Sequence, residues 1–364
     1  MLTIVADQDI PFIEPYCPDD ARLIRLPANA ITPAALSTAD ALIIRTVTPV
    51  GPPLLRGSPV RFVGAVSAGT NHIDHSYLKQ RNIAFACAPG ANAQAVVQHT
   101  MAIIASLQQQ GVLKNTGFKT GLIGVGRIGD ALSSILTTLT DHILLFDPPR
   151  AAREPDFIAT PLAQWRDLDL ISLHADLNPS SLHLVNAPLL AQQASDCQLI
   201  NTARGALVCE KLLQTVDPMR LSLDVYPHEP NLNANWVSQL RLATPHIAGY
   251  SAAAKRRASA MVLATLCQWA GLPPKTSPLA APTTPIDTQG ATCWQECVLR
   301  VHPVEALSNT MKTALSDTQE SATAFNRLRR DYPLRLEFQQ IQLCHTRLSQ
   351  QERRLVEQLG FSIV

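Results

Sequence analysis

Little in the composition of this chain leans one way, and each shortage excludes a class of function. Across 364 residues, 30 Lys and Arg face 29 Asp and Glu, a formal charge of +1. Without an excess of positive charge there is no electrostatic footprint for nucleic acid. No apolar segment is long enough to cross a bilayer, and Met1–Asp7 has no basic stretch ahead of an apolar one. A soluble, cytoplasmic chain with neither nucleic acid nor membrane as partner is expected. The eight cysteines, at 17, 87, 197, 209, 267, 293, 297 and 344, include no CxxC pair. Reduced, packed thiols follow. Cys293 and Cys297, the one close pair, have no nearby paired histidine, so no metal site is expected.

What is present is a glycine loop in a telling context. Lys119–Gly129 reads as a strand, a turn and the start of a helix, with Gly124, Gly126 and Gly129 spaced G-x-G-x-x-G. The first glycine permits a tight turn, the second lets backbone approach a pyrophosphate, and the third lets helix pack on strand. The pyrophosphate would rest on amides at the helix N-terminus, around Arg127 and Ile128. A second apolar run, His142–Phe146, ends at Asp147, where a carboxylate can accept from both ribose hydroxyls and would repel a 2′-phosphate. The cofactor expected is therefore NAD, with Arg150 the one neighbour arguing mildly for NADP.

A chain of this length is expected to hold two or three domains. From residue 2 to 88, β-type runs at 2–6, 22–26, 41–45, 61–66 and 83–88 alternate with helical stretches, the pattern of a small parallel α/β domain. Arg45–Thr48 and Ser67–Asn71 follow two of these runs, placed to bind an anion outside the carboxyl ends of parallel strands or simply to make turns. An apolar helix is expected over 91–108. Strands at 120–125, 142–146, 168–173, 198–201, 221–225 and 240–244 then supply the six that a doubly wound dinucleotide domain requires. The expected architecture is α/β: two Rossmann-like or flavodoxin-like lobes with parallel sheets, plus a smaller α+β domain. Residues 1–90 and 251–272 would form the first lobe, 91–250 the nucleotide-binding lobe, 273–287 a proline-rich linker and 288–364 the C-terminal domain.

The last three strands of the second lobe each deliver a polar group at the carboxyl edge that the glycine loop marks: Arg204, Glu229 and His246. A hydride leaves an alcohol carbon only if the hydroxyl proton is removed at about the same time, so a zinc-free alcohol dehydrogenase needs a base near neutral pKa. His246 would take the proton, and Glu229 would hold its tautomer and stabilise the imidazolium. Arg204 offers a planar fork to a substrate carboxylate. Taken singly, each also has a plain structural reading: a hydrogen-bonded histidine, a loop carboxylate before Pro230, a turn arginine. His228 is a rival base inside a loop, and His174 lies nearer the adenosine side.

Together, Gly124–Gly129, Asn201-Thr202-Ala203-Arg204-Gly205, Asp224-Val225 with Glu229-Pro230, and Thr244-Pro245-His246-Ile247-Ala248-Gly249 resemble the D-isomer-specific 2-hydroxyacid dehydrogenases over roughly residues 1 to 270. The resemblance implies that Arg204, Glu229 and His246 are catalytic, that Asp147, Asp224 and Gly249 contact NAD, and that Thr46, Ser67 and Tyr250 contact substrate. Where the family commonly has His-Thr-Pro this chain has His174-Ala175-Asp176, so the cofactor contact at Ala175 loses a side chain. Finer features at 66–74, 88–93, 146–151 and 246–251, with the extra C-terminal region, resemble a branch acting on a small phosphorylated hydroxy acid. That branch implies a homodimer through the C-terminal domain and a second cation for the phosphate. Arg45 is the candidate, with Lys255 and Arg257 as alternatives. Two other readings stay open: a related enzyme for 3-phosphoglycerate or glycerate, and a non-catalytic NAD-binding scaffold, which the lack of a long Ser/Pro-rich segment disfavours.

Overall fold

Alternating apolar runs give five parallel strands at the N-terminus: β1 (Thr3–Asp7), β2 (Arg22–Leu26), β3 (Ala41–Ile44), β4 (Phe62–Ala65) and β5 (Ala84–Ala86). In the computed structural model, which describes residues 1–275, 283–317 and 320–364, their order is β2-β1-β3-β4-β5 with every pairing parallel. This is the flavodoxin-like order, whose direction reverses between β1 and β3. Strands β3 and β4 are buried along their whole length, as central strands covered on both faces must be. The Ala252–Trp269 helix lies close against β4: a Cβ added at Gly64 would stand 2.5 Å from Val262 Cγ1. The chain forms two compact units, Met1–Ala93 with Tyr250–Ala281, and Gln94–Gly249 with Pro282–Val364.

The second unit is built on six parallel strands, β6 (Phe118–Ile123), β7 (Thr140–Phe146), β8 (Leu170–Leu173), β9 (Gln198–Asn201), β10 (Leu221–Leu223) and β11 (Leu242–Ala243). They run β11-β10-β9-β8-β6-β7 across the sheet. The order reverses between β6 and β8, so the crevice beyond the carboxyl ends of those two strands is where a ligand belongs. Close packing over β6 comes from Trp165, whose ring would lie 2.2 Å from a Cβ at Gly121.

The C-terminal segment adds β12 (Thr284–Asp287), β13 (Ile341–Cys344) and β14 (Ser362–Ile363) as a parallel sheet ordered β12-β13-β14. Its apolar residues join the nucleotide-binding body instead of forming a core of their own. Trp294, Cys297, Phe338 and Val356 share one buried cluster with Met101, Ile104 and Leu136. Met311, Leu315 and Phe325 share another with Tyr226 and Val237. The physical reason lies in the Ala93–Gln109 helix, buried from Ala95 through Gln108 with no solvated face. Such a helix needs cover on every side, and the C-terminal helices supply part of it. The Val304–Ser316 helix also covers the β11 edge, where Ala243 N donates to Ser308 Oγ at 2.9 Å. Of the stretch expected as a linker, Thr284–Asp287 is β12 and residues 276–282 lie outside the described residues. Among the described residues no helix is long and apolar enough to cross a membrane, and no cluster of His, Cys, Asp and Glu could hold a metal ion.

Candidate active site

The glycine loop leaves β6 as its spacing requires. Gly124 has φ +87°, and a Cβ there would stand 2.3 Å from Ala175 N, so only glycine fits. A Cβ at Gly129 would sit 2.1 Å from Gly124 O, which seats the Arg127–Leu136 helix on the strand. Gly126 caps that helix, and a Cβ there would meet nothing within 4 Å. The open space beside Gly126, with amides of an N-terminal turn carrying exposed Arg127 and half-buried Ile128, is a cradle into which a pyrophosphate fits.

Asp147 at the end of β7 shapes this cradle as well as facing it. Its Oδ2 accepts from Val125 N at 2.8 Å and its Oδ1 from Arg150 N at 2.9 Å, and each oxygen keeps lone-pair capacity for a ribose hydroxyl. Arg150 is held elsewhere: its guanidinium pairs with Asp130 at 2.6 Å and Glu154 at 2.7 Å, and donates to Val125 O at 2.9 Å. Those two carboxylates raise its pKa and occupy the charge that a 2′-phosphate would need. The choice of NAD follows from both residues.

At the ends of β9, β10 and β11 the expected trio comes from three adjoining loops. His246 Nδ1 meets Glu229 Oε2 at 2.6 Å, and Glu229 Oε1 accepts from Tyr226 N at 2.7 Å. With Nδ1 engaged, Nε2 is the nitrogen left for a substrate proton. Both side chains are partly exposed, 32% for His246 and 19% for Glu229. Arg204 is half-buried and donates through Nη1 to Ala203 O at 2.7 Å; among the described residues no carboxylate pairs with it. Its turn is drawn against the Glu229 loop at Gly205, where a Cβ would lie 2.0 Å from Tyr226 C. His228 turns away to Glu210 at 3.0 Å and is not part of this group. His174 bonds Ser172 at 2.9 Å, and desolvation pushes it down to about 3, so it is neutral.

Asp224, expected to contact cofactor, is fully buried and braces the His246 loop. Its Oδ1 accepts from Thr244 Oγ1 at 2.7 Å and Ile247 N at 2.8 Å, and its Oδ2 from Ala248 N at 2.9 Å. Gly249 follows directly. The sequence reading missed three further supports. Tyr226 donates its hydroxyl to Leu223 O and Thr244 O at 3.0 and 3.1 Å. Asn201 ties the Arg204 turn through Ala203 N and Arg204 O at 3.0 and 2.9 Å. His99 bonds Thr244 Oγ1 at 3.2 Å from inside an apolar helix. A histidine and two glutamines on the buried side of that helix were the available signal for the last.

In the first unit, Thr46 is exposed just after β3 and Ser67 half-buried just after β4, its hydroxyl donating to Gly69 O at 2.8 Å. Arg45 is committed to its own fold: it pairs with Asp7 at 2.9 Å and Asp9 at 2.6 Å, the former fully buried. Two carboxylates offset the charge it would bring to a phosphate. Tyr250 carries Lys255 Nζ over its ring at 4.0 Å.

Sheet order, glycine cradle and a His–Glu–Arg group on the ligand edge define an NAD-dependent dehydrogenase. The comparisons agree: residues 90–248 match the model of the D-isomer specific 2-hydroxyacid dehydrogenase, NAD binding domain. The chain is 34% identical to the erythronate-4-phosphate dehydrogenase of Marinobacter nauticus, covering 92% of this chain and 93% of that protein. It is 33% identical to the protein of the same name from Pseudomonas paraeruginosa over the whole of both. The chain belongs to the D-isomer specific 2-hydroxyacid dehydrogenase family. Among solved structures, the D-lactate dehydrogenase of Aquifex aeolicus complexed with NAD and lactic acid shares the fold, with a TM-score of 0.61 and 21% identity over 74% of this chain and 95% of that one.

Proposed function

We propose that this enzyme oxidises erythronate 4-phosphate at C2 to the 2-oxo acid, 2-oxo-3-hydroxy-4-phosphobutanoate, a step of vitamin B6 biosynthesis. The observation that carries the chemistry is the 2.6 Å contact between His246 and Glu229, with Arg204 on an adjoining loop and no carboxylate paired with it among the described residues. His246 Nε2 takes the C2 hydroxyl proton, and Glu229 holds the ring in that tautomer and offsets the imidazolium charge. Arg204 binds the substrate carboxylate and stabilises charge on the C2 oxygen. NAD, when bound along the Gly124–Gly129 cradle, accepts the hydride. Arg127, Ile128, Asp147, Ala175, Asp224 and Gly249 line or brace its place, and Thr46, Ser67 and Tyr250 contribute to substrate binding. The substrate itself rests on relatives that align end to end with this chain. A homodimer through the C-terminal segment belongs to the same reading, since the alignment runs through that segment. Light scattering at about twice 39.5 kDa would support it, and a monomer would refute it.

Purified protein, given erythronate 4-phosphate, 3-phosphoglycerate or glycerate in turn, with a 2-oxo acid present to reoxidise the cofactor, should turn over repeatedly on the first. Turnover on 3-phosphoglycerate with none on erythronate 4-phosphate would reassign the substrate. Absence of reduction with every acid would favour a scaffold.

A further inference from the structure

A buried chain of four side chains runs from the C-terminal segment to the loop that carries His246. His302 Nε2 lies 2.8 Å from His99 Nδ1, His99 Nε2 lies 3.2 Å from Thr244 Oγ1, and Thr244 Oγ1 lies 2.7 Å from Asp224 Oδ1. All four residues are at most 2% exposed. Chemistry fixes the direction of every proton. The Asp224 carboxylate can only accept, so Thr244 donates to it and must receive its own second bond from His99 Nε2–H. A neutral His99 then has only a lone pair at Nδ1, which His302 Nε2–H fills. Burial favours that neutral form: desolvation pushes His99 down to about 4, with Asp224 opposing and Arg335 assisting. His302 is also held well below its ordinary value, by desolvation first and then by Arg335 and His99.

The terminus of this chain is the carboxylate that holds Ile247 N and Ala248 N, the two amides that follow His246. Arg335, also from the C-terminal segment, reaches the same region, donating to Ala95 O at 2.5 Å and to Ala248 O at 3.5 Å. We propose that His302 is a positioning residue for the reaction, acting through His99, Thr244 and Asp224 to hold the His246 loop, so that the C-terminal segment completes the active site within its own chain. This rests on the reading of His246 as the base. Aligned donors polarise one another and a buried network is costly to leave part-filled, so removing the first donor loosens the whole row. His246 is exposed to that loosening, because its backbone sits at φ +56°, a conformation that only surrounding contacts maintain.

The test uses the full-length protein. His302→Leu keeps bulk and removes the donor; it should lower kcat by about tenfold and displace the acid limb of the kcat pH profile, with KM for NAD within about twofold. His302→Gln, whose amide can donate from a similar place, should recover most of the loss, which a purely structural contact would not require. Thr244→Val breaks the row one step nearer and should repeat the effect. Folded His302→Leu and Thr244→Val proteins with unchanged kcat and profile would overturn the proposal. So would a folded His302→Gln no better than His302→Leu. Nitrogen NMR of the wild-type imidazoles decides the matter even if the variants do not fold: both His99 and His302 should carry their proton on Nε2, and an Nδ1–H on His99 would refute the row. His246→Asn separates the two layers. Near-normal activity there removes the base reading and this proposal with it, whereas a large loss there with none in the relay variants removes the relay alone.

Discussion

His246 is the residue proposed as the base, and its contacts favour it over His228. His228 is 66% exposed and reaches an exposed Glu210, whereas His246 is gripped by Glu229, which is itself fixed by Tyr226 N. His246→Asn keeps hydrogen-bonding capacity but no base, and kcat should fall by about 10²–10⁴. A loss under about threefold in steady-state assays would end that assignment. Arg204→Lys keeps charge and gives up the planar fork, so kcat/KM should fall by at least about tenfold, with binding of NAD alone unaffected. The candidacy of Arg204, Glu229 and His246 was readable from motifs. Their supports were not, because Asn201, Tyr226 and Thr244 are ordinary polar residues until the turns bring them onto Arg204, Glu229 and Asp224 respectively.

At the level of elements, two loops show how a position can be more constrained than its residue type suggests. The β6-to-helix turn at Gly124 combines positive φ with backbone 2.3 Å from any added Cβ. Gly124→Ala should therefore weaken NAD binding by more than about tenfold and lower the melting temperature, as read by calorimetric titration and circular dichroism; a normal Kd would show that the turn can relax. Arg45, after β3, looked from sequence like an anion site at a strand end. In the fold it neutralises fully buried Asp7 at the end of β1. Arg45→Ala should cost about 3 kcal/mol of stability in urea melts by stranding that carboxylate. A large rise in KM without loss of stability would instead restore the phosphate role. Sequence could not separate these outcomes, because Asp7 and Arg45 meet only when β1 pairs with β3.

For the whole molecule, buried neutral histidines set the response to acid. His99, held down to about 4 in the fold, regains its ordinary value of 6.5 on unfolding. The unfolded chain then binds more protons between those limits, so the stabilising effect is complete above pH 6.5 and is lost as pH falls toward 4. The loss is about 3 kcal/mol for His99, with His174 and His302 acting in the same sense. Unfolding midpoints should decline over that window, and His99→Gln should flatten the decline; an equal slope in the variant would contradict it. The same neutral pair binds the C-terminal segment to the nucleotide-binding body, so acid should loosen that attachment too.

Local pattern by itself determined the parallel strands, the glycine cradle and the cofactor, and singled out the candidate reacting residues, because strand periodicity and loop spacing are written over a few residues and act over the same range. Tertiary structure alone decided what supports them. The C-terminal segment packs into the nucleotide-binding body because the Ala93–Gln109 helix has no solvated face, a fact visible only once its neighbours are in place. His99 and His302, 203 positions apart, become a hydrogen-bonded pair for the same reason. A buried polar group must find its partner wherever the fold brings one, and no pattern along the chain records that distance.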